Sequence, residues 1–168
     1  DTETLKKIAD YFNVSIDYLL GRELPVYHAD NSLKFNLDEV ELQDYYPVPL
    51  LGRVVAGVPI EAQENLEGYI YVSFRPSEEY FALRVHGDSM KNVGINDKAI
   101  IVCHKQETAE SGEIVVAMLN GEQTVKRYKL HGGAVFLMPE NSDYLPIPVT
   151  PADDFLILGK VVEIRITV

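Results

Sequence analysis

The chain is short of cysteine, of positive charge and of long apolar runs, and each shortage closes off a class of function. Its single cysteine, Cys103, rules out an internal disulfide framework and fits a reducing cytoplasm. Lys and Arg number 15 against 26 Asp and Glu, a formal net charge of -11, with a pI near 4.7. Phosphate affinity comes mainly from Lys and Arg, so these residues are expected to bind polyanions poorly, and any nucleic-acid contact is expected elsewhere. No stretch reaches membrane-spanning length and no basic-apolar signal opens the sequence, so a soluble, cytoplasmic protein is expected. An initiator Met is missing too: the chain begins at Asp1, as a piece of a longer polypeptide would. Internal repeats and low-complexity tracts are absent.

What is present suits one medium domain with a small appendage: 168 residues, 46% of them hydrophobic. Residues 2–20 carry a helical pattern, with Leu5, Ile8, Ala9 and Phe12 on one face, a break at Asn13-Val14-Ser15, and resumption at Ile16. Ser15 is placed to cap the second helix and Gly21 to stop it. Although helix, turn and helix resemble a DNA-reading unit, the second helix offers Asp17 and large apolar groups rather than polar or basic ones. It is expected to pack as the tail of a small helical domain. Residues 22–46 decay into scattered acids and read as a linker, with at most a short helical turn.

Strand signals dominate afterwards. Residues 68–74 alternate, 80–85 and 99–103 are short apolar runs, and 113–119 leads into Asn120-Gly121, a favoured two-residue hairpin turn. Residues 123–130, a second glycine turn at Gly132-Gly133, and the runs 134–138 and 155–167 complete a mainly β domain over 47–168.

Two residues in this domain could form a nucleophile and base. Ser89 follows a strand in Gly87-Asp88-Ser89-Met90, and Lys126 lies in Thr124-Val125-Lys126-Arg127. A serine hydroxyl is a weak nucleophile until a base takes its proton, and lysine can do so only when neutral. Free lysine titrates near about 10.4, so Lys126 would need burial to lower its pKa. Strand alternation puts Lys126 on the side of Thr124 and Tyr128, with Val125 and Arg127 opposite. Taken singly, Lys126 also reads as a solvated strand lysine and Ser89 as a turn residue.

The wider context separates these readings. The chain resembles the LexA and CI-type repressor family, whose C-terminal domains are Ser-Lys self-cleaving peptidases. The resemblance runs through Leu51-Gly52-Arg53-Val54-Val55-Ala56-Gly57, Leu83-Arg84-Val85-His86-Gly87-Asp88-Ser89-Met90 and Thr124-Val125-Lys126-Arg127. Leu137-Met138-Pro139-Glu140-Asn141-Ser142 and Gly159-Lys160-Val161-Val162 extend it. The spacing of Ser89 and Lys126 also resembles the family's. Residues 5–21 are similar to the last helices of Cro/CI-type DNA-binding domains, downstream of their recognition helix. The implied architecture is a truncated helix-turn-helix remnant over 1–21, a linker over 22–46, and a LexA-like all-β peptidase and dimerisation domain over 47–168.

Carried over residue by residue, the resemblance makes Ser89 the nucleophile and Lys126 the general base. The main-chain amides of Asp88 and Ser89 become oxyanion donors, and Ala56-Gly57 the bond cut, with Val54 and Val55 lying along the site. Without the resemblance, residues 53–59 read simply as a loop entering the first strand. Pro59 cannot donate a ladder hydrogen bond and would help end the pairing there. The implied protein is a bacterial or phage repressor that dimerises through its C-terminal domain and loses operator DNA when it cuts itself. The expected trigger is a RecA filament on single-stranded DNA, or an antirepressor. No cofactor and no metal is implied.

Other constellations carry less. Cys103 and His104 are adjacent in a strand and point to opposite faces, so they cannot form a dyad. His28, His86 and His131 lack metal-ligand spacing. Asp97, in Ile95-Asn96-Asp97-Lys98, reads as a turn residue before a strand, and a Ser-Lys dyad does not require it. Three other functions fit parts of the pattern. A non-cleaving dimerisation and antirepressor-binding module would leave the dyad unused. A signal-peptidase-like enzyme acting in trans would call for a membrane anchor, and an accessory protein of the UmuD type would leave 5–21 unexplained.

Overall fold

The computed structural model describes residues 2–12, 16, 20 and 44–166. The chain divides into two compact units, residues 1–42 and 43–168. In the first, helix α1 spans Thr2–Phe12. Ala9 is buried and Leu5 half-buried, as their shared face predicts, while Ile8 at the edge of that face is exposed. Beyond it Ile16 is helical, and its carbonyl accepts the amide of Leu20. The expected cap Ser15, the stop Gly21 and most of the expected linker lie outside the described residues, as does His28.

The second unit is a nine-stranded sheet in the order β2-β1-β3-β4-β9-β5-β6-β7-β8. In chain order its strands are β1 (Tyr46–Leu51), β2 (Leu66–Val72), β3 (Tyr80–Arg84), β4 (Ile100–Lys105), β5 (Ile114–Leu119), β6 (Glu122–His131), β7 (Ala134–Met138), β8 (Ile147–Val149) and β9 (Phe155–Arg165). Every pairing is antiparallel except β1 with β3. The mainly β reading holds, and the hairpin turns behave as their residues demand. Asn120 and Gly121 take φ of 51° and 83°, and Gly132 and Gly133 take 58° and 79°. Such paired positive φ values match the right-handed twist of the flanking strands.

Two strands are not evident in the residue pattern, and proline is the reason for both. Pro47 and Pro49 argue against β1 as a strand, yet its parallel pairing with β3 is confined to Leu50 and Leu51. The prolines therefore sit in a stretch laddered only to β2, where a missing N–H is tolerated. Pro148 similarly occupies β8, which is an edge. Boundaries also shift: β1 begins at Tyr46, the last residue of the expected linker, β4 runs on to Lys105, and β9 ends at Arg165.

Short apolar runs without alternation mark strands covered on both faces. Phe81, Leu83, Ile101 and Cys103 join Leu51, Val54, Met90, Val116 and Leu158 in the larger core cluster. Ala82 and Val102, pointing the other way from β3 and β4, join Val48, Leu50 and Val72 in a second. Gly159 on β9 is required beside the larger cluster, because a Cβ there would lie 2.8 Å from the His104 carbonyl oxygen and 2.9 Å from the Phe81 ring. Gly159→Ala is expected to destabilise the domain by about 1–3 kcal/mol through overpacking, read as a lower urea midpoint at unchanged slope.

Candidate active site

Lys126 occupies the middle of β6, opposite Val115 of β5. Alternation in the sequence puts Thr124 on its side of the strand, and the Lys126 amine lies 2.8 Å from the Thr124 hydroxyl. It also donates to the Val125 carbonyl at 3.0 Å and lies 2.8 Å from Ser89 Oγ. The residue is only 7% exposed. None of its three partners carries a formal charge, so nothing offsets the loss of water around an ammonium, and burial holds the amine below the ordinary lysine range. Its N–H groups are directed at three oxygens, Thr124 Oγ1, the Val125 carbonyl and Ser89 Oγ.

Ser89 reaches that position on the turn that follows β3. Gly87 bends the chain with a φ of 86°, and its amide is held by Asp97 Oδ1 at 2.8 Å. Met90, 1% exposed, anchors the far side of the serine in the core. The carbonyl of Ser89 accepts the amide of Glu140 at 2.9 Å, and the Asp88 carbonyl accepts Asn141 Nδ2 at 3.0 Å. Tyr144 donates its hydroxyl to Asp88 Oδ1 at 2.6 Å, which pushes the phenol pKa up. The amides of Asp88 and Ser89 donate to no acceptor among the described residues.

Val54, Val55, Ala56 and Gly57 follow β1. Val54 is buried, and its amide donates to Gln123 Oε1 on β6 at 2.9 Å. Val55 to Val58 forms a turn closed by a 3.4 Å bond from the Val58 amide to the Val55 carbonyl, with Gly57 at a φ of 76°. Ala56 and Gly57 are exposed at its tip. They border a groove of about 400 Å³ lined by Val54, Val55, Lys105, Glu107 and residues 155–158 of β9. Ser89 and Lys126 do not line that groove, and among the described residues no hydrogen bond joins the Ala56-Gly57 peptide to either.

A family model described as Peptidase S24-like matches residues 49–162. The chain belongs to the peptidase S24-like family. Among its relatives, the LexA repressor of Oleidesulfovibrio alaskensis is 48% identical over 117 residues, covering 68% of this chain and 56% of the relative. The LexA repressor of Shewanella pealeana is 49% identical over 112 residues, 65% of this chain and 54% of the relative. That of Shewanella sp. strain MR-7 is 45% identical over 132 residues, 77% and 58%. This S24-like chain therefore spans a little over half the length of the curated relatives it matches. The likeness to LexA repressors read from five sequence blocks holds.

Several residues around the S24 site carry no signal of their own in the sequence. Asn141 and Asp97 are short polar residues in turns, and only the fold shows that they fix the chain on either side of Ser89. Asn141 lies in one of the blocks that carry the resemblance, which was its only mark. Thr124 was placed by alternation, and Gln63 and Gln123 by nothing. The excluded pair behaves as alternation requires: Cys103 is fully buried, with its thiol pKa pushed up by burial. His104 turns outward to the Tyr80 ring and the Glu79 carboxylate. His86 and His131 are exposed, and among the described residues no helix is long and apolar enough to cross a membrane.

The buried amine ties stability to pH. Between its lowered folded pKa and the unfolded value of about 10.4, the unfolded chain binds the extra proton, so stability rises with pH. The wild-type chain is expected to gain stability relative to Lys126→Ala as pH rises through that window and to show a constant difference below it. Paired denaturant titrations from pH 6 to 10.5 measure this, and a constant difference throughout would place a charged lysine in the folded state.

Proposed function

We propose that this chain is the self-cleaving portion of a LexA-type transcriptional repressor and that it cuts its own Ala56-Gly57 bond with Ser89 and Lys126. The observation that carries the reading is the 2.8 Å approach of a buried, uncompensated lysine amine to a serine hydroxyl. In the first step Lys126 takes the Ser89 proton as Oγ attacks the Ala56 carbonyl carbon, and the oxyanion takes hydrogen bonds from the Asp88 and Ser89 amides. The C–N bond then breaks, Lys126 returns the proton to the Gly57 nitrogen, and an ester joins Ala56 to Ser89. Water, deprotonated by Lys126, attacks that ester, and the serine leaves with the proton. The products are a carboxylate at Ala56 and an amine at Gly57.

Attack requires the Ala56 carbonyl to enter hydrogen-bonding range of the Asp88 and Ser89 amides, which it does not occupy here. An inducer that prefers the conformer with this contact made would accelerate cleavage by population shift, without adding chemistry. A RecA filament or an antirepressor is the proposed inducer. Cleavage would part the β domain, proposed as the dimeriser, from a DNA reader on the N-terminal side. Two operator half-site readers would then lose the effective concentration that dimerisation gives them.

Incubated at alkaline pH without any partner, the purified chain is expected to yield pieces ending at Ala56 and beginning at Gly57. The rate should rise with pH as Lys126 loses its proton and level off below the ordinary lysine value. Ser89→Ala and Lys126→Ala should each slow the reaction at least about a thousand-fold with the fold retained, followed by intact mass and circular dichroism. A chain that stays whole through prolonged alkaline incubation would favour the binding-module reading instead, in which the domain dimerises and docks an antirepressor with its dyad unused.

A further inference from the structure

The turn that carries Ala56-Gly57 is shaped by one buried side chain. Gln63 is a polar residue only 8% exposed, placed just after the 3-10 turn Ile60–Ala62. Its amide faces back into the loop. Oε1 accepts the Val55 amide at 3.0 Å, while Nε2 donates to the Val55 carbonyl at 3.1 Å and to the Val58 carbonyl at 2.9 Å. A side-chain amide that takes one residue's N–H and gives to the same residue's C=O reproduces what a neighbouring strand does in a β-ladder. Val55 therefore has the bonds of a paired strand residue although it ladders with no strand of the sheet. The third bond gathers Val58 to the same amide and closes the turn around the peptide at its tip.

We propose that Gln63 is a positioning residue for self-cleavage, a surrogate strand that holds Val55 and Val58 so that the Ala56-Gly57 peptide is presented at the apex of a fixed turn. The inference rests on the reading of Ala56-Gly57 as the bond cut. Every contact Gln63 makes to the loop is local, so the shaped turn can travel as a unit. Its attachments to the rest of the domain are separate: Gln123 holds Val54, and Lys105 Nζ reaches the Val58 carbonyl at 3.3 Å. Shape and seating are thus carried by different residues. Pre-forming the turn spares the reaction the cost of ordering it at the moment of attack, the general advantage of a fixed near-attack geometry.

The test is alkaline self-cleavage of the full chain beside Gln63→Ala and Gln63→Glu, with rates measured across pH. Glu keeps the length of Gln and one acceptor for the Val55 amide, but it loses both donors and turns a carboxylate oxygen toward two carbonyls. Both variants are expected to cut the plateau rate at least tenfold, with Glu no better than Ala. The pH midpoint, set at Lys126, should stay where it is in the wild type. Wild-type rates in either variant would overturn the inference. A midpoint that moved with the rate would also overturn it, because Gln63 would then act on the dyad rather than on the turn. If the wild-type chain itself fails to cleave at Ala56-Gly57, the proposed function falls and this inference with it. If the wild type cleaves there, the variants alone decide the role of Gln63.

Discussion

The buried amine of Lys126 is the constraint around which the site is arranged. A lysine on a β-strand ordinarily runs its ammonium out to water, and here it is turned inward to a hydroxyl, a carbonyl and a serine. Burying a charge without a counter-charge costs so much that the group shifts its pKa instead. The domain achieves this with ordinary parts. β5 and β6 pair in unbroken register past Val115 and Lys126, and the strand opposite supplies only apolar bulk. The downward shift of the amine comes from burial, with no carboxylate among its hydrogen-bond partners.

Holding the serine against that amine falls to a different set of bonds. Asp97 fixes the Gly87 amide on one side, Glu140 and Asn141 hold the carbonyls of Ser89 and Asp88 on the other, and Met90 plugs the turn into the core. Fixing a flexible turn in one geometry costs roughly 1–2 kcal/mol per residue in backbone entropy, and hydrogen bonds of about 1 kcal/mol each offset it. The proposed dyad therefore depends on β6 for Lys126 and on the segment after β7 for the placement of Ser89. The block Leu137-Met138-Pro139-Glu140-Asn141-Ser142 contains no chemistry of its own and is still part of the site.

The legibility of the sequence follows the same division. Strands with alternation or glycine turns could be read directly, and so could the shared side of Thr124 and Lys126, because a period of two is a local property. Strand β1 could not, since whether Pro47 and Pro49 are tolerated depends on which neighbour ladders them, and that is settled by β3 thirty residues later. The burial of Lys126 is equally non-local. Nothing in Thr124-Val125-Lys126-Arg127 distinguishes a buried lysine from a solvated one, and family resemblance supplied what periodicity lacked. Gln63 and Gln123 are the extreme case: two glutamines in unremarkable surroundings whose side-chain amides act only once a loop is folded against them.

The separation between the Ser89–Lys126 pair and the shaped turn bears on how the proposed self-cleavage would be held off. Lys126 already touches Ser89, whereas the Ala56 carbonyl makes no hydrogen bond to the Asp88 and Ser89 amides, so access of that carbonyl is one restraint on the proposed reaction. Beyond the burial of Val54 and Ile60 in the core, two single side-chain hydrogen bonds tie the turn to the domain, Val54 to Gln123 and Val58 to Lys105. Bonds of this kind are worth on the order of 1 kcal/mol net, and a tenfold change in population takes about 1.4 kcal/mol. Releasing these two bonds therefore lies within the reach of a modest binding partner so long as Val54 and Ile60 stay seated in the core, whereas separating Ser89 from Lys126 would mean breaking the core that buries Lys126.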